Sequence, residues 1–261
     1  MYVGTDIMIV YFSATGNSKY VAHRIAEATG DWARPIEELR WEKHLEAHAG
    51  GRLGIVCPTY FHGLPANVIN FMESKKMYVG EGSYFYFVGT YGEVGGMAAD
   101  MMADILKKRG LKLDAKYSVK MPDTWTPLFD VNDKAKIAEI NNAAEKQIDE
   151  VIEHIKNNDK GDFVRDKKMK FVSKMTYKAY EKARETRNFE VSDACIGCKL
   201  CVKRCPIGII AMKDGKPVWT TEQCIMCLGC YHRCPVNAIN YGKATIGKGQ
   251  YVHTIDVDPE Q

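Results

Sequence analysis

Two short blocks constrain this chain more than anything else in it. CIGCKLCVKRCPIGII at 195–210 and CIMCLGCYHRCPVNAI at 224–239 each carry four cysteines and a proline in the order C-x2-C-x2-C-x3-C-P. Cys195, Cys198, Cys201 and Cys205 of the first recur as Cys224, Cys227, Cys230 and Cys234 of the second, with Arg204 and Pro206 recurring as Arg233 and Pro235. A segment so rich in thiols organises around what the sulfurs ligate. Structural zinc sites pair cysteines at x2–4 and separate the pairs by a longer span. Three successive cysteines at x2, repeated with the same proline, instead suit iron–sulfur clusters. The ninth cysteine, Cys57, sits in an apolar strand-like run and reads as a small buried hydrophobe.

The blocks resemble the bacterial-type ferredoxin that holds two [4Fe–4S] clusters. By motif position the resemblance implies crossed ligand sets: Cys195, Cys198, Cys201 and Cys234 for one cluster, and Cys224, Cys227, Cys230 and Cys205 for the other. Each block alone is one ligand short, so the repeat works only as a pair. KDGKPV (213–218) between the blocks reads as a hairpin turn at Asp214-Gly215.

Upstream, strand and helix signals alternate. Strands are expected at 7–12, 32–36, 52–58, 83–90 and 113–120, and helices at 17–29, 65–74, 95–110 and 133–158. Five strands alternating with helices predict an α/β fold with a doubly wound parallel sheet. The first strand leads into SATGNS (13–18) and then a helix. Small and hydroxyl residues at such a turn form a phosphate cradle of backbone N–H groups at a helix N-terminus. The loop is neither a Walker loop nor G-x-G-x-x-G. Two further loops, PTYFHGLP (58–65) and GTYGEVGG (89–96), follow the third and fourth strands. Open α/β sheets bind ligands at such carboxyl ends. Tyr60, Phe61 and Tyr91 suit stacking on a flat ring. Gly63, Gly92, Gly95 and Gly96 suit close backbone approach to it.

Over residues 5–158 the chain looks like a flavodoxin. IVYFSATGNSKYVAHRI fits the family's phosphate-loop pattern at Ser13, Thr15, Gly16, Asn17 and Ser18, with Ser18 where the family usually has threonine. The resemblance implies strand order 2-1-3-4-5 and FMN as cofactor. It extends the FMN site to Thr59, Tyr60, Phe61, His62, Gly63, Thr90, Tyr91, Gly92, Gly95 and Gly96. Trp125 in MPDTWTPLF (121–129) reads either as a cap on the pocket or as a plug on the sheet edge.

The expected division is therefore 1–159 for the flavodoxin-like domain, 160–190 for a basic linker, 191–242 for a small α+β dicluster domain and 243–261 for a tail, where YVHTIDV suggests a strand. Residues 1–158 carry 18 Lys and Arg against 21 Asp and Glu; residues 159–261 carry 18 against 12. Eight thiolates, two oxidised cluster cores and FMN shift the formal +3 to about −3, which argues against nucleic acid. The linker's nine basic and three acidic residues (165–187) suit either docking of an acidic redox partner or packing on the acidic N-terminal domain. No apolar run approaches membrane-span length, and IMIVYF lacks the flanks of a signal peptide, so a cytoplasmic protein is expected.

Such flavodoxin–ferredoxin fusions of anaerobic microbes imply electron transfer between two [4Fe–4S] clusters and FMN, with redox proteins as donor and acceptor. The alternatives are a flavin-dependent reductase of a small organic substrate fed by the clusters, and a redox sensor. No catalytic acid or base stands out in the loops.

Overall fold

The computed structural model describes residues 7–257. In chain order its elements are β1 (Ile7–Tyr11), α1 (Asn17–Thr29), β2 (Trp32–Pro35), β3 (His44–Ala47), β4 (Arg52–Pro58), α2 (Ala66–Ser74), β5 (Lys76–Val79), β6 (Tyr84–Tyr91), α3 (Ala98–Lys107), β7 (Ala115–Lys120), α4 (Lys134–Lys156), β8 (Gly161–Phe163), α5 (Lys170–Ala183), β9 (Phe189–Val191), α6 (Leu200–Lys203), β10 (Ile210–Lys213), β11 (Lys216–Trp219), α7 (Gly229–His232) and β12 (Ile239–Tyr241).

The central sheet runs β2-β1-β4-β6-β7-β8, parallel throughout. Its first five positions have the expected 2-1-3-4-5 order. The sixth, β8, extends the sheet past the expected edge: Gly161, Asp162 and Phe163 pair with Ala115, Lys116 and Tyr117. Three residues are too few for a periodic signal, and this strand lay in the expected linker. A separate parallel pair, β3 with β5, also escaped the sequence reading.

Alternation along the strands divides the interior into two cores. Ile9 and Tyr11 of β1, with Tyr86 and Val88 of β6, face α1 and α4, where Val21, Ile25, Ile148 and Ile152 meet them. Val10, Phe12, Phe85 and Phe87 point the other way, toward Val68 of α2 and Met102 of α3. All eight residues of β6 are buried because both faces are covered. Gly54 lets Tyr86 lie across β4, since a Cβ there would fall 2.4 Å from the ring.

The second core does not stop at the N-terminal domain. It continues through Tyr180 of α5 into Ile225, Met226, Leu228, Tyr231, Ala238 and Ile239 of the cysteine-rich region. Tyr180 is fully buried; its hydroxyl donates to Ile225 O at 2.7 Å and accepts from Ala66 N–H at 3.3 Å. The expected linker is thus a brace, with α5 wedged between the two parts of the chain.

The cysteine-rich part holds two antiparallel pairs, β10–β11 turning at Asp214-Gly215 as expected, and β9–β12. The tail forms no strand among the described residues. It runs back over the N-terminal domain and forms a 3-10 turn at Thr254–Asp256. His253 N–H donates to Thr15 O at 2.8 Å, and the Tyr20 and His253 rings stack at 4.3 Å. No helix among the described residues is long and apolar enough to cross a membrane.

Candidate functional site

A cavity of about 270 Å³ opens at the carboxyl ends of β1, β4 and β6. Ser13, Thr15, Asn17 and Ser18 line it from the first loop, Thr59, Tyr60, Phe61 and His62 from the second, and Thr90, Tyr91 and Gly92 from the third. The parallel sheet brings the three loops together, as the sequence suggested. Ser18 Oγ and Thr90 Oγ1 lie 2.7 Å apart and tie the first loop to the third. The Asn17 side chain is already engaged: its amide donates to Pro122 O at 3.1 Å, and its carbonyl accepts from Tyr251 OH at 2.8 Å. The start of α1 therefore offers backbone N–H groups and neighbouring hydroxyls rather than the Asn17 amide.

Four expected glycines do not line the cavity. They make room for other parts of the protein. A Cβ at Gly63 would meet the Tyr177 ring at 2.3 Å, at Gly95 the Arg165 carbonyl at 2.3 Å, and at Gly96 the His62 carbonyl at 2.5 Å. Gly16, with φ +96°, lies under His253, whose Cβ would be 2.7 Å from a Cβ added there. Gly92 does line the cavity, yet its bare side faces Asp123, whose carboxylate oxygen would be 2.1 Å from a Cβ. Sequence shows that a glycine is small; only the fold shows which neighbour needs the space.

The second loop turns tightly. Phe61 and His62 both hold left-handed backbone, at φ +48° and +68°, while Tyr60 and Gly63 exchange backbone hydrogen bonds. Two such residues in succession cost about 1–2 kcal/mol each, held by surrounding packing. Phe61 meets Trp125 edge-on at 4.9 Å, so Trp125 belongs to the cavity wall rather than to a distant sheet edge. Tyr91 points its hydroxyl out to Asp166 Oδ2 at 2.9 Å.

The segment after β7 is the part that sequence reasoning underused. Met121, Pro122, Asp123, Thr124, Trp125, Leu128 and Phe129 all line the cavity. Burial pushes the Asp123 carboxyl up to about 6; the Trp125 N–H bonded to it at 2.8 Å opposes that rise, and Glu93 adds to it. Burial and the charge of Lys168 hold His62 below the usual imidazole range, and its Nδ1 has no partner.

The cysteines assemble by quartets. Cys195, Cys198, Cys201 and Cys234 surround one small cavity, with Met212, Pro217 and Val236 in its wall. Cys205, Cys224, Cys227 and Cys230 surround another, with Phe189, Ile209, Trp219 and Leu228. These are the crossed sets that the ferredoxin resemblance implies. Each quartet encloses a space rather than closing on one ion, as a cubane needs. Burial pushes the free thiols of Cys201 and Cys224 up to about 11 and Cys227 up to about 12, so thiolates at these positions require a cationic core. Cys57 lies apart in the sheet core, 1% exposed.

The two kinds of site meet. Met226 and Cys227 line the loop cavity, and Cys227 also lines the second cysteine cavity. The junction is held by the second block. Arg233, 3% exposed, donates through Nε and Nη2 to Ala14 O at 3.1 and 3.0 Å and through Nη1 to Asp256 O at 2.8 Å, and pairs with the Asp256 carboxylate. Lys19 reaches the same carboxylate at 2.6 Å. His232, fully enclosed and kept neutral, donates from Nε2 to Thr124 O at 2.9 Å and accepts at Nδ1 from Tyr251 N–H at 3.2 Å.

A family model for the flavodoxin domain matches residues 8–150, and one for a 4Fe-4S dicluster domain matches residues 194–239. No curated protein matches the chain. Among solved structures it is similar to rubredoxin oxygen:oxidoreductase from the anaerobe Desulfovibrio gigas, at 14% identity over 59% of this chain and 37% of that one (TM-score 0.33). It is also similar to a flavodoxin from the domain Archaea, at 17% identity over 57% and 99% (TM-score 0.31), and to an azoreductase from Bacillus anthracis strain Sterne, at 10% identity over 57% and 99% (TM-score 0.37). The chain spans little more than a third of the Desulfovibrio protein. The family models, the loop cavity and the two cysteine quartets agree: the chain belongs to the flavodoxin family and carries a 4Fe-4S dicluster ferredoxin domain, a flavodoxin–ferredoxin fusion whose cofactors are FMN and two [4Fe–4S] clusters.

Proposed function

We propose that the protein transfers electrons between its two clusters and its FMN, with the cluster on Cys205, Cys224, Cys227 and Cys230 next to the flavin and the cluster on Cys195, Cys198, Cys201 and Cys234 farther out. The observation that carries this reading is Cys227, which lines both the flavin cavity and the second cysteine cavity. Bound there, each cluster supplies one-electron exchange and FMN supplies exchange of one or two.

The rest is the work of this chain's residues. Ser13, Thr15 and Ser18, with the backbone N–H groups at the start of α1, hold the phosphate. Phe61, Trp125 and Tyr91 bound the space for the ring, and Tyr60 packs behind them against Phe12 and Tyr180. Asp123 holds or releases a proton near pH 6 beside that space. Met226 and Leu228, both buried, with the half-buried Tyr60 packed against the same core, keep water from the contact between the parts. The division that supports the reading takes 7–163 as the flavin unit, α5 as a brace, 189–241 as the cluster unit and 250–256 as a strap.

The test starts with an anaerobic preparation analysed for iron, sulfide and flavin, where about eight irons and one FMN per chain are expected. Rapid mixing with a one-electron reductant then follows cluster and flavin bands together. Flavin bleaching that trails cluster bleaching at a rate independent of protein concentration supports internal transfer. Cluster reduction that leaves the flavin oxidised refutes it.

A further inference from the structure

Helix α5 and the turn before it carry three kinds of surface. Ser173 and Tyr180 are buried, and Tyr177 reaches in to donate to Leu64 O at 2.8 Å. Lys170, Lys174 and Lys178, spaced four apart, form an exposed row. Between these lie Met169, Phe171, Val172 and Met175, which are 75%, 70%, 37% and 58% exposed. Large apolar side chains grouped this way in water mark an interaction surface rather than a random exposure.

The position of the strip gives it meaning. Thr176, one residue past Met175, lines the flavin cavity, and so does Leu128, which is itself 69% exposed. The Thr176 hydroxyl donates to Val172 O at 3.0 Å, one helical turn back, so the strip adjoins the turn of α5 that reaches the cavity. The charge is one-sided: residues 165–178 hold six basic side chains and one acidic. Carboxylates are nonetheless set among the lysines, with Asp162 2.6 Å from Lys167 and Asp100 3.8 Å from Lys170. A uniformly anionic lipid surface would meet those carboxylates unfavourably. A protein that presents its own patterned charges can match them.

We propose that the Met169–Lys178 strip is the docking surface for an acidic redox protein, one that offers an apolar contact ringed by carboxylates beside the mouth of the flavin cavity. The proposal builds on the electron-transfer reading by naming its partner class and docking face. An apolar centre with a charged rim is the usual anatomy of a transient interface. Lysines at the rim act chiefly on encounter and register, so their effect is sensitive to salt.

The experiment measures binding rather than turnover. The holoprotein is titrated calorimetrically with a carboxylate-rich plant-type ferredoxin in which gallium replaces iron, so that no electron moves. Binding is expected to weaken about tenfold or more between about 20 mM and about 200 mM salt. The pair K174E/K178E and the pair F171S/M175S, all at exposed positions, are each expected to weaken it by about tenfold while flavin and iron content stay at wild-type levels. Absence of binding at low salt overturns the proposal, as does binding that neither pair disturbs. Co-sedimentation with phosphatidylglycerol vesicles that both pairs abolish, in place of ferredoxin binding, assigns the strip to a membrane and also overturns it. The probe exchanges no electrons, so these outcomes are independent of whether electrons pass between clusters and flavin.

Discussion

Arg233→Met is the perturbation that most directly tests how the cluster unit supports the flavin site. The guanidinium is 3% exposed and its bonds go to Ala14 O in the phosphate loop, Asp256 O and the Asp256 carboxylate. Removing one partner of a buried ion pair costs about 3–5 kcal/mol because the other charge is left uncompensated. Here Lys19 remains on the carboxylate at 2.6 Å and is itself partly exposed, so the lower end, about 3 kcal/mol, is expected. If about 1.4 kcal/mol of that falls on the Ala14 loop, FMN binding weakens about tenfold. Anaerobic urea denaturation followed by circular dichroism reads the first quantity. Quenching of FMN fluorescence on titration reads the second, and iron analysis verifies that the clusters are retained. The double variant R233M/D256N removes both charges and is expected to be no less stable than R233M alone. A loss below about 1 kcal/mol with unchanged FMN affinity would refute the reasoning, as would losses that simply add in the double variant.

Tyr180→Phe keeps the ring but strands Ile225 O and Ala66 N–H, so a loss of about 1–3 kcal/mol is expected in the same denaturation assay, with iron content unchanged. Asp123 titrates near 6 when folded against 3.8 for a free aspartate. Its folded form therefore binds the proton more tightly, and stability falls as pH rises through the 4–6 window. The penalty above that window is about 3 kcal/mol at face value, and about 2 kcal/mol allowing for partial exposure. Asp123→Asn should flatten that slope and be the more stable protein at pH 7; an unchanged slope from pH 4 to 7 would contradict the assignment. Cys57→Ala should leave iron and sulfide content at wild-type levels and cost about 1 kcal/mol of core packing, whereas Cys227→Ala should lower iron content and displace the flavin absorption.

Much of this was legible in the residues. The cysteine blocks were legible because ligand spacing within a block is a local property, and the crossed grouping came with the ferredoxin resemblance. The three loops announced the cavity because parallel strands must present their carboxyl ends together. Other features arise only when distant surfaces meet. Arg204 and Arg233 occupy equivalent places in the repeat, yet only Arg233 is buried, because only the second block faces Ala14. The neighbours of the four glycines outside the cavity were hidden for the same reason: a missing side chain carries no sign of which group fills the gap. The expected tail strand failed because its backbone donors are spent singly, Tyr251 N–H on His232 Nδ1 and His253 N–H on Thr15 O, which leaves no row of groups for a ladder.

The core that runs without a break from the sheet through Tyr180 to Leu228 and Ile239 has a consequence for how the protein matures. Two separately folding units could acquire their cofactors in any sequence. Here the wall of the loop cavity includes Met226 and Cys227, residues of the second cysteine block. A disturbance of the second block, loss of its metal included, is therefore expected to reach the flavin site as well. Iron-depleted protein is expected to bind added FMN more weakly than the cluster-loaded protein, and equal affinities would refute that coupling.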